Sequence, residues 1–202
     1  MKGEILVSLT AGGLVRDLHQ NSQEKLIKGL KAGDEDAVIE LVFNYSDRLL
    51  RAATVILKDQ YLAEDVVQDS LLVAVSKIEQ LRSNYLFPWL YKILVSNCRK
   101  KQRRKYWNML EFWPHNDLEL VPAFAVDVET QIIEETLNQE VFSAISELPL
   151  KYREIITLYY LEQFSLEEIS SITKEPLGTI KSRLHRARKR LKQVLLERGK
   201  LK

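Results

Sequence analysis

The chain has 202 residues, of which 46% are hydrophobic and 29% charged, with a formal net charge of +2 at pH 7. This length and balance suit one or two globular domains, each with its own core. No stretch of about 20 apolar residues occurs, which excludes a membrane-spanning helix. Cys98 is the single cysteine, so an internal disulfide is excluded and a reducing compartment is favoured.

Helix-breaking residues are scarce, with seven Gly and five Pro, and long stretches of the chain have helical periodicity. These features predict an all-α protein with two small helical domains joined by a flexible acidic linker. We divide the chain into an N-terminal extension (1–22), a first block (23–106), a linker (107–128) and a second block (129–202).

The N-terminal extension contains a short apolar run after Lys2, which weakly resembles a secretion signal. Glu4 and Arg16 flank that run closely, and no A-x-A cleavage site follows it. We therefore interpret residues 1–22 as an accessory segment without an assigned role.

The first block should contain four helices separated by short polar breaks. Gly33 before Asp34 is typical of a helix stop followed by a start, and Pro88 suits the opening of a new helix. The predicted helices are Glu24 to Ala32, Glu35 to Leu57, Ala63 to Ile78 and Trp89 to Arg104.

The third of these helices has two distinct faces. Its apolar stripe consists of Ala63, Val67, Leu71, Ala74 and Ile78. The opposite face groups Asp65, Gln68, Asp69 and Leu72. A leucine among acids suggests a partner site, but a solvated face with one exposed leucine has the same pattern.

The fourth helix begins with aromatic residues and ends with cations. Six Lys or Arg lie between Arg99 and Lys105. Aromatic rings beside cations suit unpaired nucleic acid, because bases stack on the rings and the cations hold the backbone. The alternative is that Trp89 and Ile93 belong to the core and the cations favour a helix C-terminus.

The linker and the start of the second block are acidic. From Asn108 to Leu150 there are nine Asp or Glu and no Lys or Arg. Charge separated in this way suggests that the basic segments bind a polyanion. The predicted helices of the second block are Glu129 to Ile145, Pro149 to Leu161, Ser165 to Thr173 and Thr179 to Arg198.

The last two predicted helices form a helix-turn-helix pattern. Ser165 and Glu168 have the spacing of a capping box, and Pro176 ends that helix. Seven Lys or Arg and no acid occur from Lys181 to Lys192. Such a cationic helix favours duplex DNA over a solvated surface, which usually mixes charges.

The last helix divides into a core stripe, an outward face and flanks. Its stripe is Ile180, Leu184, Ala187 and Leu191. The outward face, predicted to read bases, is Thr179, Ser182, His185, Arg186 and Lys189. Arg183, Arg188, Arg190 and Lys192 lie at its sides and suit phosphates.

Together these segments resemble the bacterial RNA polymerase sigma factors of the extracytoplasmic-function subfamily. "LAEDVVQDSLL" resembles that family's region 2.2, and "PWLYKILVSNCRKKQRR" its regions 2.3 to 2.4. "LPLKYREIITLYYLEQFSLEEISSITKEPLGTIKSRLHRARKRLK" is similar to region 4. The resemblance extends from about Gln23 to Leu196. The chain departs from the family at Ser96, where Asn is common, and at Lys100, where Asp is frequent.

The resemblance implies specific partners and residues. Asp65, Gln68, Asp69 and Leu72 would bind the RNA polymerase core. Contacts to the single-stranded −10 element would come from Asn84, Tyr85, Phe87, Trp89, Tyr91, Arg99, Lys100 and Arg103. Contacts to the duplex −35 element would come from Thr179, Lys181, Ser182, Arg183, His185, Arg186, Lys189 and Arg190. The family further implies a cytoplasmic protein held by an anti-sigma factor, often membrane-anchored, without a cofactor, metal or small-molecule substrate.

Three other classes of protein were weighed against this one. A conventional helix-turn-helix regulator would bind palindromic sites as a dimer without polymerase, but no long heptad seam is visible. An enzyme lacks support, since phosphate-binding glycine motifs are absent and the three histidines lie in separate segments. A helical adaptor would leave both basic clusters unexplained.

Overall fold

A computed structural model describes residues 23–82, 85–112 and 139–198, and every regular element within those ranges is helical. The first block contains a helix over 23–32 (α1), then α2 (Glu35–Leu57), α3 (Gln60–Ser76) and α4 (Leu86–Phe112). The second block contains α5 (Gln139–Ser146), α6 (Leu150–Ile156), α7 (Leu166–Thr173) and α8 (Leu177–Glu197). The predicted all-α class is confirmed.

Local sequence signals set the boundaries of α1 and α2 as expected. Gly33 adopts a positive φ of 73°, and the Asp34 side chain caps α2 by accepting a hydrogen bond from the amide of Asp36. The two helices approach closely at Gly29, where an added Cβ would lie 2.7 Å from the Cβ of Ala37. Glycine is therefore required there for the α1–α2 hairpin to close.

Two helices of the first block are longer than the sequence predicted. The Asp59 side chain accepts from the amide of Leu62, so α3 begins at Gln60, three residues before the expected start. The fourth helix runs from Leu86 to Phe112 and so extends beyond the helix end expected at Arg104. No Gly or Pro interrupts the chain between Trp89 and Phe112, and Pro88 is accommodated in the first turn of α4.

The second block also deviates from one predicted helix. The segment expected to be a single helix from Pro149 to Leu161 is α-helical only to Ile156 and continues as a π-helical turn, Thr157–Leu161. In that turn the amide of Glu162 donates to the carbonyl of Thr157 at 3.0 Å. Of the helix predicted from Glu129 to Ile145, the part before residue 139 lies outside the described residues.

The two blocks pack against each other. Helix α4 contacts α7, and α2 contacts both α6 and the π-helical turn. At the centre of this contact, Phe164 of the second block lies 5.1 Å from Phe87 and 5.0 Å from Tyr91, measured between ring centroids. The packing buries Tyr91 and half-buries Phe87, two aromatic residues that the family resemblance had implied as DNA contacts.

Candidate nucleic-acid interface

Helix α8 presents a basic surface, and local caps define its short connection to α7. Ser165 and Glu168 form the predicted capping box, with Glu168 Oε2 accepting from the Ser165 amide at 2.8 Å. Lys174 ends α7 in the left-handed conformation, and Pro176 precedes the first residue of α8. The helix-turn-helix predicted from this spacing is present in the structure.

The buried stripe of α8 fixes which of its residues face outward. Ile180, Leu184 and Ala187 are buried as predicted, Leu191 is half-buried and Val194 completes the stripe. The residues expected to read bases lie on the other side of the helix. Among them Thr179, His185, Arg186 and Lys189 are exposed, and Ser182 is half-buried.

The cations of α8 differ in how free they are to contact DNA. Lys181 and Arg190 are exposed, and Arg186 donates to the Ser182 hydroxyl at 3.2 Å along the helix surface. Arg183 is instead held by an ion pair with Glu175, with 2.6 Å between Nη2 and Oε2. The Arg188 guanidinium lies 5.3 Å from the centre of the Tyr159 ring, in a cation–π contact.

A second surface lies on α3, where the structure resolves the ambiguity left by the sequence spacing. Leu72 is 63% exposed, while its neighbour Leu71 is buried in the core. Gln68 and Asp69 share the exposed face with Leu72, and Asp65 accepts a hydrogen bond from Lys101 of α4 at 3.0 Å. An apolar side chain surrounded by acceptors suits contact with another protein.

The predicted −10 residues fall into two groups. Tyr85, Lys100 and Arg103 are exposed, and Trp89 is half-buried; Asn84 lies outside the described residues. Tyr91, in contrast, is fully buried, with its hydroxyl donating to the Arg48 carbonyl at 3.4 Å. In this packed arrangement the Tyr91 ring fills the contact between the blocks and is not accessible to a base.

Ion pairs between the blocks involve three residues that the sequence analysis did not single out, Arg48, Glu154 and Glu162, together with Arg99, which it did. Arg99 donates two hydrogen bonds to Glu154 Oε2, from Nη2 at 2.7 Å and Nε at 3.1 Å, and Nη2 also donates to Glu175 at 3.1 Å. Arg48 donates to Glu162 at 2.7 Å. The Glu154 and Glu162 side chains are each 2% exposed. Arg99, expected on DNA, is thus engaged by the second block.

Burial and hydrogen bonding shift the pKa values of three groups near this contact. Hydrogen bonding to Glu154 raises the pKa of Arg99 above its usual value. Burial raises the pKa of the Cys98 thiol, which makes that thiol a poor nucleophile. Burial also lowers the pKa of Arg153 to about 10, which leaves its guanidinium charged at neutral pH, donating to the Ile56 carbonyl at 2.7 Å.

One signal in the sequence could have pointed to Glu154. Leu150, Glu154 and Leu158 recur at a spacing of four, which places the acid on the apolar stripe of its helix. Buried carboxylates require a partner. The partner itself was not predictable, because Arg99 precedes Glu154 by 55 residues.

A basic groove of about 940 Å³ separates the exposed parts of the two blocks. Its cationic lining comprises Lys77, Lys92, Arg99, Lys100 and Arg103 from the first block, and Lys151, Lys174 and Arg183 from the second. The described helices include none that is apolar over the length needed to cross a membrane. In the same residues, His, Cys, Asp and Glu do not cluster in a way that could hold a metal ion.

Comparisons with known proteins agree with this geometry. Residues 138–191 match the family model "Sigma-70, region 4". The chain is 31% identical over 179 residues to the ECF RNA polymerase sigma factor SigW of Bacillus subtilis, covering 85% of this chain and 96% of the relative. It is 29% identical to the ECF RNA polymerase sigma-E factor of Haemophilus influenzae, over 87% of this chain and 96% of that protein.

A solved structure has the same fold. The sigma factor RpoE of Bartonella quintana, crystallised with the anti-sigma factor NepR, superposes with a TM-score of 0.59 at 27% identity. The match covers 77% of this chain and 94% of that one. The similarity therefore includes both helical blocks and not the helix-turn-helix alone.

Proposed function

Because this chain belongs to the extracytoplasmic-function (ECF) RNA polymerase sigma factors, we propose how its two blocks divide the work of such a protein. The chain directs transcription initiation as a sigma factor. In our proposal the first block, residues 23–106, binds the polymerase core and the −10 element. The second block, residues 129–202, reads the −35 element as duplex DNA.

The observation that carries the proposal is the outward face of α8. Arg186 and Lys189 project from a helix whose opposite side is buried, beyond a short turn from α7. A recognition helix in the major groove needs this division, because base edges are read by donors at its outer face. We assign base contacts to Thr179, Ser182, His185, Arg186 and Lys189, and phosphate contacts to Lys181 and Arg190.

We assign polymerase binding to the exposed face of α3. Side chains that are fully desolvated near the centre of an interface, with a polar rim around them, carry most of the binding energy. Leu72 would supply the apolar centre, with Gln68 and Asp69 as rim acceptors. Asp65 would join them when its bond to Lys101 is exchanged for one to the partner.

Contact of the full set of assigned residues with the −10 strand requires the blocks to separate. Tyr85, Trp89, Lys100 and Arg103 are available while the blocks are packed together, whereas Arg99 is bonded to Glu154 and Phe87 packs on Phe164. The latter residues could contact unpaired bases and phosphates only after α7 moves away from α4. We infer that the packed form is not competent for −10 binding.

We propose a cytoplasmic location, since both polymerase and promoter DNA are found there, and control by an anti-sigma factor. Support for such a partner comes from the similar RpoE, whose structure is a complex with the anti-sigma factor NepR. No catalytic role is assigned to any residue, in keeping with the sigma factors that the chain resembles.

Run-off transcription with bacterial core polymerase and a library of promoter fragments tests the assignment. The chain should produce transcripts that depend on it and that share upstream −35 and −10 elements. Arg186→Ala with Lys189→Ala should abolish selection of the −35 element. Lys28→Ala, which removes an exposed cation from α1, should leave it intact. Specific DNA binding without any core-dependent transcript would favour a conventional regulator instead.

A further inference from the structure

The basic groove between the two blocks contains cations that have no role in the functions assigned above. Its lining includes eight Lys or Arg but only two carboxylates, Glu154 and Glu175. Both carboxylates already pair with arginines of the lining, Glu154 with Arg99, and Glu175 with Arg99 and Arg183. Within the described ranges, the other six cations have no ion-pair partner; they are Lys77, Lys92, Lys100, Arg103, Lys151 and Lys174. The groove therefore has an excess of six positive charges, eight cations less two carboxylates.

The cations come to the groove from both blocks. In the first block, Arg99 and Arg103 follow Lys92 at about two and three helical turns, so all three share one side of α4. In the second block, Lys174 ends α7 in the left-handed conformation, with a φ of 57°. Arg99 Nη1 donates to the Thr173 carbonyl at 3.1 Å, which brings Lys174 beside this side of α4. Both blocks are therefore needed to form the groove.

Packing of the blocks brings these like charges together. Repulsion between the six cations opposes packing, whereas the ion pairs of Arg99 and Arg48 with buried carboxylates favour it. An anion that enters the groove replaces the repulsion by attraction, so it binds the packed form more tightly than the separated form. At a concentration of about a hundred times its Kd, a ligand selective for the packed form shifts the equilibrium about 100-fold toward packing.

The size and charge of the groove favour a chain of phosphate groups as this anion. A volume of about 940 Å³ is typical of small-molecule sites. A terminal phosphate carries about 1.5 to 2 negative charges and three acceptor oxygens, so a short chain neutralises several cations within this volume. An acidic peptide supplies one charge per residue, and a single DNA strand supplies one per nucleotide together with a bulky base. Lysine ammonium groups and the Arg103 guanidinium are suitable donors to phosphate oxygens.

We propose that the groove binds a short phosphate chain, carried by a nucleotide or free as inorganic polyphosphate, and that this ligand holds the two blocks together. Its effect on transcription rests on the proposed function, since a ligand that favours the packed form lowers binding of the −10 strand. The binding itself does not depend on that role. Failure of the ligand to bind would leave run-off transcription unaffected, so the two proposals fail independently.

Calorimetric titration of the full chain with sodium triphosphate tests the proposal. We expect one saturable site per chain. Lys92→Ala with Lys100→Ala, from the first block, should weaken binding at least about tenfold, and so should Lys151→Ala with Lys174→Ala, from the second. Weakening by the first-block pair alone would place the anion on α4 and overturn a site that joins the blocks. Absence of saturable binding to the wild-type chain would overturn the site itself.

A matched variant separates a built site from diffuse attraction. Lys25→Ala with Lys28→Ala also removes two exposed cations, but from α1, outside the groove lining. It should weaken triphosphate binding by less than about twofold, because distant surface charges are screened. Equal weakening by this pair and by the groove pairs would overturn the proposal. Tighter binding of tetraglutamate or of a thymidine hexanucleotide than of triphosphate would overturn the phosphate assignment.

Energy transfer between dyes on the two blocks measures whether the ligand holds them together. The dyes are attached at Tyr61→Cys and Lys189→Cys, which lie outside the groove lining, and Cys98 is buried and stays unlabelled. The urea concentration at which transfer is lost should be higher in saturating sodium triphosphate than in sodium chloride of equal ionic strength. Lys151→Ala with Lys174→Ala should abolish this rise. Binding of triphosphate without any rise in the wild-type chain would overturn the role of the ligand in packing.

Titration with ATP in the absence of divalent cations distinguishes the two sources of the phosphate chain. Equal affinities for ATP and triphosphate would support the phosphate chain alone as the recognised group. Tighter binding of ATP, lost in Trp89→Leu, would support a nucleotide, because Trp89 lines the groove, is half-buried and has a ring on which a base can stack. Failure of both ATP and triphosphate to bind would overturn the proposal.

Discussion

Substitution Glu154→Gln should loosen the contact between the two blocks. The Glu154 side chain is 2% exposed and receives the hydrogen bonds of Arg99, whose side chain is 30% exposed. Hydrogen bonds to charged groups contribute about 1.5–3 kcal/mol each, and solvent around Arg99 weakens them. We expect a net loss of about 1–2 kcal/mol, which shifts the equilibrium between packed and separated blocks roughly 5- to 30-fold.

Energy transfer between dyes at Tyr61→Cys and Lys189→Cys measures this equilibrium, since one dye lies on each block. The transfer efficiency should fall in Glu154→Gln, while Glu197→Gln, which alters the carboxylate bonded to Gln193 within α8, should leave it unchanged. Affinity for single-stranded −10 DNA should rise with the separated fraction, because only that fraction exposes Arg99.

Two results would refute this reasoning about the block contact. Unchanged energy transfer would mean that the bonds to Arg99 do no more than offset the desolvation of the buried carboxylate. Increased transfer would mean that the desolvation cost exceeds the pairing, so that the neutral amide packs better. A separated form without a gain in −10 affinity would show that Arg99 does not contact that strand.

Three further predictions concern single surfaces. Leu72→Asp should lower affinity for core polymerase by more than about 1 kcal/mol, as measured by pull-down titration, and should change folding stability by less than about 0.5 kcal/mol, as measured by thermal melts. Leu71→Asp, which changes the buried neighbour, should instead unfold the first block. Arg186→Ala should reduce discrimination between matched and scrambled −35 duplexes by about 1–3 kcal/mol, whereas Arg190→Ala should weaken both alike, in fluorescence anisotropy titrations. Ser165→Ala should cost about 1 kcal/mol of unfolding free energy in urea titrations, through loss of the cap of α7.

Each of these predictions has a contrary outcome. Loss of helical signal in Leu72→Asp would place that leucine in the core. Identical behaviour of Arg186→Ala and Arg190→Ala on both duplexes would contradict the division of α8 into base-reading and phosphate-binding faces. An unchanged urea midpoint for Ser165→Ala would mean that α7 is held by its packing on α8 and α4, with the cap contributing little.

Much of the fold and of the α8 surface followed from the sequence alone, because both depend on contacts between near neighbours. The spacing of Ser165 and Glu168 predicted a capping box, and alternating four- and three-residue steps from Ile180 predicted the buried stripe. The α2 boundaries agreed for the same reason, since Asp34 and Gly33 act within one turn of the helix end. A capping box or a buried stripe depends only on residues a few positions apart, so both can be recognised in the sequence.

Only the tertiary structure decided which of the predicted DNA-binding residues are exposed and which are engaged between the two blocks. Arg48 pairs with Glu162 across 114 residues of chain, and Arg99 pairs with Glu154 across 55. The family resemblance implied that Tyr91 contacts the −10 element. In the structure Tyr91 is buried, because Phe164 of the other block packs against it. Helical periodicity specifies on which face of its own helix a residue lies. Which other element covers that face depends on packing between segments that are far apart in the sequence. Local spacing therefore does not predict which residues become buried between the blocks.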